Sequence, residues 1–281
     1  MPLSRDEYIE QAFFFEAFLE RIEAGYSTQE FLAHIRHELL TTTQLPLAID
    51  FLLTDMKLTG VLSGAMYRLK HYFTPFQAFV VAESERESGR FDFRIALQIL
   101  QREAAYRVDS PQIQGLFFYQ FEVLCRNRLG YDKGIEKMMD DDSYDADWKR
   151  WLEILRRQVG FVDLADMVFY RSEYYRLHQK SDKDEKKRTK KKGGESVSIL
   201  FGEREGRIAF ACRGRDPVHL FSALTRHLGY PAVPRLRRDE QEENMLPMMQ
   251  RRIEHLENRL QLLEDEQRQG INLQQYYVKD K

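Results

Sequence analysis

His34, His37 and Glu38 are the first side chains in this chain whose types and spacing could do chemistry. At i, i+3 and i+4 they would share one helix face, and imidazoles with a carboxylate are a ligand set for zinc. Their order is His-x-x-His-Glu rather than His-Glu-x-x-His, and no further ligand accompanies them, so a polar helix face accounts for them and no metal is expected. Cys125 precedes Arg126 and Arg128, cations that would lower a thiol pKa and favour a nucleophile. It also follows an apolar run, which suits a small buried hydrophobe. Asp140, Asp141 and Asp142 lack the glycine and terminal glutamate of a calcium loop. No histidine has a glutamate three positions before it, so a di-iron site of paired Glu-x-x-His motifs cannot be built. Phosphate-binding glycine loops, a G-x-S-x-G elbow and a zincin motif are also missing from the sequence. We expect no cofactor and no catalytic residue.

A different chemistry, pairing with phosphates, is raised by KSDKDEKKRTKKKGGE at residues 180–195. It contains Lys186, Lys187, Arg188, Lys190, Lys191 and Lys192, and Arg207, Arg213, Arg215, Arg235, Arg237 and Arg238 follow it. Arginine's planar fork suits phosphate oxygens, which makes nucleic acid an alternative partner. The formal net charge of −2 conceals this segment: residues 180–238 hold 16 basic side chains against 7 acidic ones. Residues 1–179 hold 21 basic against 28 acidic, and residues 239–281 hold 6 against 10. The arginines are therefore equally explained as solvated, or as partners of those surplus carboxylates. No ribonucleoprotein motif, GXXG loop or zinc-finger spacing stands with them.

The elements that must carry these residues are mostly helices. At 43% hydrophobic and 12% aromatic the chain can build a packed core, which excludes wholesale disorder. In residues 1–179, Ser4 with Glu7 and Ser27 with Glu30 fit the capping box, and Gly25 between them suits a left-handed helix end. Thr74-Pro75 and Ser110-Pro111 read as N-cap and first-turn pairs. Tyr8, Ala12, Phe15, Leu19 and Ile22 recur on one helical face, with Phe14 and Phe18 on a second. Residues 87–100 and 127–139 each place a glycine at a helix end, then an aromatic–Asp pair (Phe91-Asp92, Tyr131-Asp132), then an apolar helix. Residues 74–140 thereby resemble tetratricopeptide-type helical-hairpin repeats, although Gly89 and Gly130 stand 41 residues apart rather than about 34. The resemblance implies a concave surface for protein segments and no catalysis. The alternative is an irregular multi-helix bundle whose glycines are ordinary helix stops; both are mainly α.

Four regions follow: an all-α domain (1–179), a charged flexible linker (180–195), a basic ββα module (196–238) and a C-terminal helix (239–281). In the module, Val197, Ile199 and Phe201 alternate along a first strand, and Ile208, Phe210 and Cys212 along a second. GEREG between them reads as a hairpin connection, and Asp216-Pro217 opens the helix. This pairing puts Phe201 and Phe210 on the buried face, leaving no exposed ring among the arginines. The last helix carries a heptad over about 245–267: Leu246, Ile253 and Leu260 at a, with Met249, Leu256 and Leu263 at d. In a parallel homodimer Arg252 would face Glu257 and Arg259 would face Glu264 of the other copy. The same helix could instead pack within one chain. Two distant cysteines give no disulfide framework, and the acidic start is unlike a leader peptide. The most apolar stretch, residues 45–66, contains Asp50, Asp55 and Lys57, each costly in a bilayer. The expectation is a cytoplasmic, self-associating scaffold for an unidentified protein partner, away from membranes.

Overall fold

The computed structural model describes residues 3–86, 91–178 and 198–235, all within one compact unit, Met1–Arg235. The heptad residues from Leu246 to Glu264, the cationic run 186–192, Arg237 and Arg238 lie outside the described residues. The architecture is mainly α. Its helices are α1 (Arg5–Glu23), α2 (Thr28–Ile35), α3 (Leu45–Thr59), α4 (Ser63–Arg68), α5 (Pro75–Ser84), α6 (Phe93–Arg107) and α7 (Ile113–Arg126). There follow α8 (Tyr131–Met139), α9 (Ala146–Gln158), α10 (Leu164–Tyr170), α11 (residues 173–178 as described), α12 (Glu203–Cys212) and α13 (Pro217–Leu228).

Local chemistry explains most of the helix starts. Ser27 and Glu30 satisfy each other's backbone N–H groups, as do Thr74 and Gln77. Gly25 takes φ +88°, the left-handed conformation that ends a helix without a Cβ penalty. Two starts differ from the sequence reading. Ser4 caps α1, but the Glu7 carboxylate turns away to accept the Gln44 N–H at 2.7 Å, while Glu10 accepts that of Leu40. These two carboxylates tie the α2–α3 loop to α1 instead of closing a capping box. Ser110 lies at φ +48°, and α7 begins only at Ile113, behind Gln112 as its cap.

Packing joins distant parts of the chain. α1 lies along α6 and buries Phe14, Phe15 and Phe18, with Phe18 stacked on Phe31 of α2 at 4.4 Å. A second aromatic centre gathers Phe117 and Phe118 of α7 with Trp148 and Trp151 of α9. Phe201 inserts into it, 5.3 Å from Trp148 and 5.2 Å from Trp151. Residues 198–201 are held there by Arg171 O, which accepts from Leu200 N and Phe201 N, and by Glu173 N, which donates to Phe201 O. Toward the other end of the described stretch 198–235, Tyr230 is buried and donates to Glu122 of α7.

The expected ββα module is corrected: residues 203–212 are helix α12, not a turn followed by a strand, and no strand forms among the described residues. Extended residues 198–201 make a single bridge, Ser172 with Phe201, and Ile199 is exposed where the alternation would bury it. Glu203 and Glu205 in the first turn suit a helix N-terminus, whose dipole favours negative charge. The buried positions Glu205, Gly206 and Ala209 fall at i, i+1 and i+4, a helical rather than an alternating pattern. Gly206 is a contact point, not a turn: a Cβ there would collide with Ser172 and the Tyr174 Cβ. Glycine thus lets α12 approach α11 closely.

Polar groups inside the core are collected around Arg107, whose guanidinium meets Glu103 at 2.8 Å, Asp141 at 2.7 Å and Ser143 at 2.9 Å. Gln120 donates to Glu103 and accepts from Tyr144. Burial opposes the ionised form of Asp141, but Arg107 and the Ser143 N–H outweigh it and hold the carboxyl below its ordinary value. Burial raises Glu103 above its ordinary value despite Arg107, and its Oε2 has no hydrogen-bond partner among the described groups. No helix among the described residues is long and apolar enough to cross a membrane.

Candidate functional site: an arginine–aromatic surface

α10, α11 and α12 together carry an unusual concentration of rings. Phe169 is buried at the end of α10, while Tyr170 beside it is 49% exposed. Phe210 of α12 is 48% exposed and rests on Phe169 at 5.2 Å and Tyr174 at 6.1 Å. Arg213, just past α12, sits among them: its guanidinium carbon is 4.2 Å from the Phe169 ring centre, 5.3 Å from Tyr170 and 5.4 Å from Phe210. Such cation–ring contacts are attractive at these distances. Asp166 accepts from Arg213 Nε, and Asp163 accepts the Gly214 N–H at 2.8 Å, which fixes the turn after α12. Although slight burial opposes its charge, the bond to Asp166 raises the Arg213 pKa further.

The arginines singled out in sequence therefore divide. Arg213 pairs with a carboxylate of the helical part. Arg207, Arg215 and Arg235 are exposed and form no ion pair with a described residue. Arg204, one turn before Arg207, shares that condition. Sequence reasoning missed the exposed rings, because a strand would bury Phe210 and a helix turns it half outward. The signal was present in the i, i+3 relation of Arg207 and Phe210, which makes them neighbours on a helix and puts them on opposite faces of a strand.

Other candidates are placed less suggestively. His34 and Glu38 line a small recess with Arg21 and Glu30, and no group of three metal-capable side chains occurs among the described residues. Burial pushes the Cys125 thiol up to about 11, and its neighbour Arg126 is turned to Glu122. An open cleft of about 370 Å³ between the end of α6 and α13 holds Tyr106 and His227. Both are committed elsewhere: Tyr106 donates to Leu228 O at 3.2 Å, and His227 pairs with Glu205 at 2.9 Å.

A second surface feature lies on α3, where Leu47, Phe51, Thr54 and Leu58 fall at i, i+4, i+7 and i+11 on one face. Leu47 is 73% and Leu58 81% exposed, so this stripe is uncovered among the described residues while Leu45, Ile49 and Leu52 fill the core. Comparison with protein-family models, curated proteins and solved structures finds no match to this chain.

Proposed function

We propose that the chain is a cytoplasmic, non-enzymatic interaction protein. In this reading the helical unit takes a protein partner on the outer face of α3, and the C-terminal heptad joins two copies in parallel. The observation that carries it is the α3 stripe: leucines at 73% and 81% exposure, one helical face apart from the core face, with Phe51 between them. Aligned apolar side chains on a helix are a recognised way for proteins to dock, because each turn adds an anchor on the same line. The tetratricopeptide-like pattern of residues 74–140 supports the same class of function. Two copies on one heptad seam would present two such faces and raise avidity without any new contact. Two free cysteines, Cys125 and Cys212, agree with a reducing compartment.

The test replaces Leu47 and Leu58 together by aspartate, at positions too exposed to disturb the core. The intact chain should capture a defined set of polypeptides from an extract of its source cells, treated with nuclease, and the double variant should lose them. Capture of the same set by both proteins, or capture abolished by nuclease alone, contradicts the reading.

A further inference from the structure

Exposed aromatic rings beside uncommitted arginines ask for a ligand with flat faces and negative charge. We infer that the α10–α12 surface binds single-stranded nucleic acid, with bases stacked on Phe210 and Tyr170 and phosphates held by Arg204, Arg207 and Arg215. This site is separate from the α3 stripe and stands or falls independently of it.

The rings have the properties of a stacking platform. Each is about half exposed, yet each is supported from behind, Phe210 by Phe169 and Tyr174, and Tyr170 by Tyr175 at 5.1 Å and 87°. A ring held in this way loses little freedom when a base covers it. Arg213 does not serve the ligand directly, since Asp166 takes its charge; it positions the three rings around itself. The charge for phosphates comes from Arg204, Arg207 and Arg215, which are exposed and form no ion pair with a described residue. The acidic groups on these elements are engaged, Asp163 with Gly214 N, Asp166 with Arg213, Glu173 with Arg176, Glu205 with His227 and Asp216 with Val218 N, apart from exposed Glu203. Single strands are favoured over duplex because stacking needs bases whose faces are free, and it tolerates any sequence. An acidic peptide would use the arginines and leave the rings without a role.

The experiment is fluorescence anisotropy of the full chain with a labelled oligothymidylate and with a duplex of the same length. The oligothymidylate should bind, and its affinity should fall steeply between about 50 and 200 mM salt, as counterion release requires. Phe210→Ala should weaken it about tenfold, the scale of one lost base stack. Arg207→Glu, on an exposed position, should weaken it and flatten the salt dependence. A chain lacking residues 186–192 should keep its sensitivity to Phe210→Ala. Absence of binding at low salt overturns the inference. So does equal affinity for the duplex, equal competition by polyglutamate, or affinity unchanged in Arg207→Glu when circular dichroism shows that variant folded.

Discussion

Arg107 is only 5% exposed, and it stands between two carboxylates that are themselves enclosed, Glu103 and Asp141. Removing one partner of such a group leaves the others buried and uncompensated. Arg107→Met should therefore lower unfolding stability by about 3–5 kcal/mol at neutral pH, measured by urea denaturation. The pH profile carries a second signature. The Asp141 pKa lies below its ordinary 3.8, so its contribution is present above that value and lost as pH falls through the folded value. Glu103 shifts the other way: raised above 4.5, it favours the folded state at lower pH and detracts as pH rises through the raised value. Without Arg107 the depression of Asp141 disappears, and the loss of stability on the acid side should flatten. A variant whose urea midpoint matches that of the unsubstituted chain at every pH would contradict this account. At this scale the sequence is legible only in part. Glu103 and Arg107 at i, i+4 announce a pair, but Asp141 is 34 residues further on, and nothing local separates buried Arg107 from half-buried Arg102.

α12 illustrates how an element can be misread when two periodicities fit the same residues. In RIAFACR the larger apolar residues Ile208, Phe210 and Cys212 alternate with arginine or alanine, which suits a strand, yet Arg207, Ile208, Ala211 and Phe210 also fill the outer side of a helix. What decides is tertiary: Gly206 must face Ser172 and Tyr174, and only a helix buries Gly206 and Ala209 on one face, since a strand would send them to opposite sides. Gly206→Ala should destabilise the protein by about 1–3 kcal/mol, the usual cost of overpacking, although alanine is the better helix former. A thermal melt at or above that of the unsubstituted chain would contradict the close approach. α3 gives the complementary lesson. Its sequence, LPLAIDFLLTDMKLT, is apolar on both faces, so periodicity finds the helix but not which stripe the core takes. Caps were more legible, because a cap is decided within four residues: Ser27, Thr74 and Asp216 all act where the sequence places them.

At the scale of the whole molecule, the mainly α class is legible because helix signals recur throughout residues 1–178. The placement of residues 198–235 was not, since it depends on Phe201 filling a gap between Trp148 and Trp151 that no local pattern announces. Phe201 and Tyr230 make that stretch part of the same core as α7 and α9. The candidate site followed the same division: its arginines could be named from sequence, while its exposed rings depended on the helix that carries them. We propose that the C-terminal heptad makes the chain a two-copy interaction protein, and the mass of the protein in solution tests this most directly. Light scattering on the eluting protein should give twice the chain mass of 33.5 kDa for the intact chain and a single chain mass after truncation at Asn244. An intact chain that elutes as a monomer at micromolar concentration, or a truncated chain that remains a dimer, would contradict it.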